Sequence, residues 1–295
     1  MRVAVGDIGT NTARLLVADV IDGVAHERDL RTEIVGLGRG LYAYSELQPD
    51  AIARAVKALG SFADGFESAN EKIIVATSAS RDARNRESFF DEVLAASGVR
   101  PTLISGDREA GYAFAGVSQA LNGERITVID IGGGSTEFVT GQNVVEYSES
   151  INMGSVRMTD LHLRNGPVSP KALASARAVA ADVFANVRST GVGQLVGVAG
   201  TCTTVSSALL GLAEHDRNQV HLSTVRLNDV THFVNKIALL TTDKISEIPA
   251  IGAKRAPVIL GGLLVLEAAL SRLPGNEMLV SERDLLHGVA AELGS

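Results

Sequence analysis

Residues 5–12 read Val5-Gly6-Asp7-Ile8-Gly9-Thr10-Asn11-Thr12. With Asp7 answered 123 positions later by Asp130, the chain repeats the theme as Val128-Ile129-Asp130-Ile131-Gly132-Gly133-Gly134-Ser135-Thr136-Glu137. Each segment runs through β-branched residues to an aspartate and then turns through glycine and hydroxylated residues. The chemistry this permits is a grip on phosphate. Glycines let the backbone approach an anion, amides and hydroxyls bind its oxygens, and the aspartate is placed to hold a cation. In the first segment Asp7, Thr10, Asn11, Thr12 and Arg14 bracket the bend, and a surface hairpin would use the same residue types. Arg14 falls inside an apolar strand, where it needs a partner, either a phosphate or a carboxylate. In the second, Asp130 and Glu137 flank Gly132, Gly133, Gly134 and Ser135 and offer two hard oxygen ligands suited to Mg²⁺, with Mn²⁺ as the alternative. A solvent-facing edge carboxylate is the plainer reading of Glu137. A third segment, Gly197-Val198-Ala199-Gly200-Thr201-Cys202-Thr203-Thr204, passes from strand to helix and makes Gly200 and Thr201 a generic anion site. Cys202 reads as a small buried residue, because no histidine lies near it in sequence.

The elements that must carry these segments occur in two passes. Strands at 2–7, 12–20 and 25–35 precede a helix opened by Pro49, with Ile52, Ala55, Val56, Leu59, Phe62, Ala63 and Phe66 on one face. A strand at 72–77, a helix at 87–97, a strand at 102–104 and a helix at 107–121 follow, and the Asn122-Gly123 turn pair marks a boundary. The pattern then restarts with strands at 125–130, 135–140 and 144–151. Helices at 153–163 and 170–189, a strand at 194–198 and a helix from Thr201 continue it. Helices at 227–240 and 254–272, a strand at 277–280 and a last helix from Arg283 close it. Three strands followed by alternating helices and strands, twice over, predict an α/β protein of two actin-like (ribonuclease H-like) domains, 1–121 and 122–295, with a phosphate-binding cleft between them. The last helix, 283–295, is free to pack back on the first domain.

Composition narrows the function classes. At 295 residues, 45% hydrophobic and 21% charged, the chain suits two globular domains. A net charge of −7 argues against nucleic-acid binding. The apolar stretch 256–266 is about half the ~20 residues that span a bilayer, so no membrane association is expected. One cysteine excludes an internal disulfide and fits a reducing cytoplasm. Local positive charge survives at Arg81, Arg84 and Arg86, and at Lys254 and Arg255.

Further motifs fall in order between and after the two turns: Ala76-Thr77-Ser78-Ala79-Ser80-Arg81-Asp82-Ala83-Arg84-Asn85, Ile104-Ser105-Gly106, Glu109-Ala110, Gly200-Thr201, Arg255 and Val280-Ser281-Glu282. The whole set resembles the exopolyphosphatase and guanosine pentaphosphate phosphohydrolase family along essentially the full chain. The resemblance implies hydrolysis of a terminal phosphate of inorganic polyphosphate or of the 5′ phosphate of guanosine pentaphosphate, and a homodimer. It maps the water-activating glutamate onto Glu109 and the metal carboxylates onto Asp130 and Glu137. Phosphate binding falls on 7–14 and 132–135, with Ser78, Arg81, Gly200, Thr201 and Arg255 toward the anionic chain. Two departures stand out: Arg108 precedes Glu109 where the family often pairs acids, and the C-terminal helical domain of longer members is not in this sequence, which favours short polyphosphate. A polyphosphate or alarmone sensor without turnover, and an actin-like kinase or ATPase, are the competing classes; the former has no need of Glu109.

Overall fold

A computed structural model describes residues 1–121, 123–163 and 166–295; Asn122 of the expected turn pair lies outside the described residues. The chain divides into two compact units, 1–120 with 283–295, and 121–282. The chain therefore enters the second unit once and returns, so the last helix belongs to the first unit.

In the first unit β1 (Arg2–Ile8), β2 (Thr12–Ile21), β3 (Val24–Ile34), β4 (Glu71–Ala76) and β5 (Pro101–Leu103) form one sheet in the order β3-β2-β1-β4-β5. The first three strands pair antiparallel and the last two join parallel. Period-two alternation gives the sheet two buried faces. Ala4, Ile8, Leu15 and Ile74 pack with helices Pro49–Gly60, Ala63–Glu67 and Arg86–Ser97. Val3, Val5, Leu16, Ala18 and Val75 pack under helices Gly106–Ser118 and Leu285–Leu293. Those two helices touch backbone to backbone. A Cβ on Gly116 would stand 2.0 Å from the carbonyl oxygen of Asp284, and one on Gly288 2.0 Å from that of Tyr112.

The second unit repeats the plan. β6 (Ile126–Ile131), β7 (Thr136–Gly141), β8 (Val145–Ile151), β9 (Gln194–Val198), β10 (Ser223–Arg226) and β11 (Glu277–Val280) lie in the order β10-β11-β9-β6-β7-β8. Read from β8, this is the same three antiparallel strands followed by two parallel ones, with β10 added antiparallel at the edge. Both units thus carry the actin-like sheet. Phe138 and Phe184, in edge-to-face contact at 5.5 Å, anchor a core that includes Leu263, Leu264, Leu266 and Leu270 of helix Ile259–Arg272.

Several helices are shorter than their apolar spacing predicts. The 49–66 stripe breaks after Gly60 and resumes at Ala63, so Phe62 and Phe66 are buried from a turn and a second short helix. Pro257, which has no N–H to donate, separates Gly252–Arg255 from Ile259–Arg272. Helix Pro170–Val183 ends at its cap residue Phe184. The final helix opens at Leu285, because Asp284 and His287 close a capping box ahead of it.

Candidate active site

In the first unit the alternation that buries Val3 and Val5 places Asp7 on the same face, under the helices Gly106–Ser118 and Leu285–Leu293. Asp7 and Arg14 are a cross-strand pair. Nε and Nη2 of Arg14 donate to Oδ2 of Asp7 at 3.1 and 3.0 Å, and its Nη1 donates to Oδ2 of Asp284. The partner that Arg14 requires is therefore carboxylate, and no phosphate is needed to account for its burial. Burial raises the Asp7 carboxyl above its ordinary value against the pull of Arg14. Asp284, though burial opposes its charge, is held well below the usual carboxylate range by Arg14 and His287.

The bend itself is a hairpin in which the Gly9 N–H donates to the Thr12 carbonyl at 2.9 Å. The carbonyls of Thr10 and Asn11 accept N–H groups of Gly38, Val35 and Gly36 at 2.8 to 3.0 Å. That fixes the bend from behind while leaving Oγ1 of Thr10 and Oδ1 of Asn11 buried with no hydrogen-bond partner among the described residues. Buried polar atoms of this kind call for a ligand or water. Thr12 begins β2 and is half-buried.

Glu109 lies in the first turn of helix Gly106–Ser118, whose N-cap Ser105 accepts the Arg108 N–H at 3.3 Å. Its side chain is 11% exposed, and Oε2 accepts from Nη1 of Arg81 at 2.7 Å. Arg81 comes from the short helix Ser78–Asp82 directly after β4, and the same Nη1 also donates to the Ile104 carbonyl at 3.1 Å. Burial pushes the Glu109 carboxyl up to about 7, opposed by Arg81 and Arg14 and assisted by Asp7. A carboxylate poised near neutrality is suited to accept a proton from water. Ser78 is buried at the head of its helix, and the nearby Ser80 hydroxyl makes no hydrogen bond among the described residues. Arg108 turns elsewhere: it donates to the Tyr112 hydroxyl at 2.9 and 2.7 Å and to Glu292 at 2.6 Å, tying two helices together at the surface.

The second unit shows the same hairpin, with the Gly132 N–H donating to the Ser135 carbonyl at 3.1 Å. The carbonyls of Gly132 and Gly133 accept the N–H groups of Ser155, Val156 and Arg157 at 2.8 to 3.1 Å, and that of Gly134 accepts Nε of Arg157 at 2.9 Å. Helix Ser155–His162 thereby takes up the carbonyl side of the turn. At the register position that holds Asp7 and Arg14 in the first unit, this unit holds Asp130 and Glu137. Both are buried, and Oε1 of Glu137 accepts from the Ser150 hydroxyl at 2.7 Å.

Two carboxylates facing each other across a ladder repel, and a cation between them removes the repulsion. Among the described residues no group of three or more His, Cys, Asp or Glu is gathered for a metal. Two carboxylates are a donor set that could hold Mg²⁺, whose shell is otherwise completed by phosphate oxygens and water. Asp130 also pairs in register with Val198, so the start of helix Ala199–Leu209 lies beside it. Arg255 lies across that start: its Nη1 donates to the Gly200 carbonyl at 3.0 Å, and a Cβ on Gly200 would stand 2.3 Å from the same nitrogen. Thr201 is buried in the first turn. Cys202 is fully buried, and burial together with Asp130 pushes its thiol far up, so it packs and does not attack.

The candidate residues thus form two sets. Asp7, Thr10, Asn11, Thr12, Arg14, Ser78, Arg81 and Glu109 gather in the first unit; Asp130, Glu137, 132–135, Gly200, Thr201 and Arg255 gather in the second. In both, they cluster where the central parallel strands end, the usual ligand position of open α/β sheets. Sequence reasoning missed Asp284 and His287, whose signal is an aspartate and a histidine three apart bounding an otherwise apolar helix start. It also missed Ala199, held at φ 65° in the left-handed region where a side chain is strained.

A model of the Ppx/GppA phosphatase family matches residues 16–293. The chain is 36% identical over 313 aligned positions to "Exopolyphosphatase 2" of Mycobacterium tuberculosis, covering 99% of this chain and 98% of that one. It is 27% identical to the guanosine-5′-triphosphate,3′-diphosphate pyrophosphatase of Vibrio atlanticus over 97% of this chain, and spans 58% of that longer protein. The crystal structure of an exopolyphosphatase-like protein superposes with a TM-score of 0.93 at 31% identity, covering 99% of this chain and 97% of that one.

Proposed function

The chain belongs to the Ppx/GppA phosphatase family, and we propose that it is an exopolyphosphatase that hydrolyses the terminal phosphoanhydride of inorganic polyphosphate. The observation that carries the reading is Glu109, buried, held by Arg81 and titrating at about 7. A sensor needs no such base. In the proposed reaction Glu109 orients a water toward the terminal phosphorus and accepts its proton as the new P–O bond forms. The bridging P–O bond breaks, releasing orthophosphate and a chain one phosphate shorter. Within the second unit the N–H groups of Gly133, Gly134 and Ser135, and within the first the Thr10 hydroxyl and the Asn11 side-chain amide, offer hydrogen bonds to phosphate oxygens. Asp130 and Glu137 would hold Mg²⁺, which supplies charge neutralisation on the phosphate oxygens when bound. Such catalysis is mostly positioning and electrostatics.

The similarity to a named exopolyphosphatase over the full chain favours polyphosphate above guanosine pentaphosphate. The test is phosphate release from tripolyphosphate, long-chain polyphosphate and guanosine pentaphosphate side by side, with and without Mg²⁺. Release from the two polyphosphates supports the reading. Tight binding without release, or release from the guanosine compound alone, refutes it.

A further inference from the structure

The segment 283–295 returns to the first unit, and its first turn is fixed by Asp284. One carboxylate oxygen does the work of a helix cap: Oδ1 accepts the Leu286 N–H at 3.1 Å, while the Asp284 N–H donates to Nδ1 of His287 at 3.2 Å. Asparagine or serine caps a helix as well as aspartate does. The other oxygen does something a cap does not require. Oδ2 accepts from Nη1 of Arg14, whose remaining nitrogens hold Asp7. The Asp284 and Arg14 side chains are 7% and 18% exposed, so the contact is largely out of water.

The helix that carries Glu109 is seated on this same turn through the backbone contact of Gly116 with Asp284. The charges that act on Glu109 are Arg81 from the helix Ser78–Asp82, Asp7 from β1 and Arg14 from β2. Asp284, on the last helix, meets this set through Arg14. Behind it stands His287, whose Nε2 lies 2.7 Å from Oε1 of Glu27 on β3.

We infer that Asp284 is a positioning residue for the hydrolysis: by holding Arg14 and Asp7 in one ion-paired layer beside Glu109, the C-terminal helix sets the charge against which the base works. The inference rests on Glu109 being that base. Asp284 adds a negative charge to the Asp7–Arg14 pair, which opposes ionisation of Glu109. Removing that charge favours the ionised base.

The test is Asp284→Asn, whose single oxygen can keep the Leu286 cap but not Arg14 as well, together with Asp284→Ser, which also caps. The acid limb of the kcat profile for tripolyphosphate is expected to move down by about half a pH unit or more in both variants, with KM unchanged. The ¹³C carboxyl resonance of Glu109, assigned by its absence in Glu109→Gln, should titrate lower by the same amount. Asp284→Ala, which loses cap and charge together, should show the same displacement and a lower Tm. Profiles and resonances that superimpose on the wild type in both capping variants would overturn the inference and leave Asp284 a cap. Wild-type release by Glu109→Gln refutes the base instead, and the resonance still reports whether Asp284 reaches Glu109.

Discussion

Replacing Arg81 by methionine keeps the length of the side chain and removes the cation that Glu109 leans on. Nη1 of Arg81 stands 2.7 Å from Oε2, and its charge and hydrogen bond both pull the Glu109 carboxyl down from where burial alone would put it. A hydrogen bond to a charged group contributes about 1.5–3 kcal/mol, equivalent to about one to two pH units. The acid limb, expected at about 7 in the wild type from the Glu109 carboxyl, should therefore move to about 8–9 in Arg81→Met. At pH 7 the ionised fraction of the base falls from about half to roughly one to ten per cent, so kcat drops about 5- to 50-fold. The loss is recovered as pH rises. Phosphate release from tripolyphosphate with Mg²⁺, at saturating substrate from about pH 5.5 to 9.5, reads this directly. Fitting kcat and KM separately distinguishes a displaced base from a lost substrate contact. A midpoint that stays near 7 or moves to lower pH would refute the reasoning.

Glu109→Gln should lower kcat by about 10²–10⁴-fold while leaving polyphosphate binding, followed by calorimetry, intact. The same substitution has a stability signature. A carboxyl raised from 4.5 to about 7 on folding favours the folded state fully below pH 4.5, and that contribution is lost as pH rises through 7. Across this window the wild type should thus lose about 3 kcal/mol relative to Glu109→Gln, measured by urea unfolding at pH 4.5 and 8. Glu137→Gln should raise the Mg²⁺ concentration for half-maximal activity by tenfold or more, on the order of one lost carboxylate ligand. It should also raise the Tm of the metal-free protein by relieving the cross-strand repulsion, so a lowered Tm speaks against the paired-carboxylate argument. Arg108→Ala breaks an exposed ion pair with Glu292 and a part-buried hydrogen bond to Tyr112 and should change stability by about 1 kcal/mol, with kcat unaffected; a large kcat loss would place Arg108 in the reaction.

The fold was legible because its signals are local. β-branched runs, the Pro49 helix start and the two glycine bends each depend on a few neighbouring residues, and the 123-residue offset reappears as the same hydrogen bond from Gly9 to Thr12 and from Gly132 to Ser135. Helix ends were less legible, since an apolar stripe continues through a two-residue turn such as that between Gly60 and Ala63. Pro257 did carry the signal for its break. The partners of charged residues were not legible at all. Arg14 could be seen to need an anion, but one of its two carboxylates lies 270 positions away. Arg108 looked like a lost acid and is instead a clamp between helices. The left-handed Ala199 is set by the passage from β9 into its helix, which no residue type there announces.

The two hairpins share a sheet position, a turn hydrogen bond and an aspartate, and they differ in what stands opposite that aspartate. In the first unit it is Arg14, so the hairpin carries its own cation, and that cation is closed off by Asp284. In the second it is Glu137, so the hairpin doubles the negative charge, which a bound cation would relieve. One fold thus yields two kinds of site from a single change of sign. An internally neutralised hairpin can do no more than bind through its backbone and the Thr10 and Asn11 side chains. It does, however, set a fixed field, and Glu109 lies within reach of that field, its carboxyl shifted by both Asp7 and Arg14. The base is carried by the unit whose hairpin supplies its own cation, so part of the charge acting on it is fixed by the fold. That difference in sign is a physical consequence of the duplicated turns having diverged at this one position.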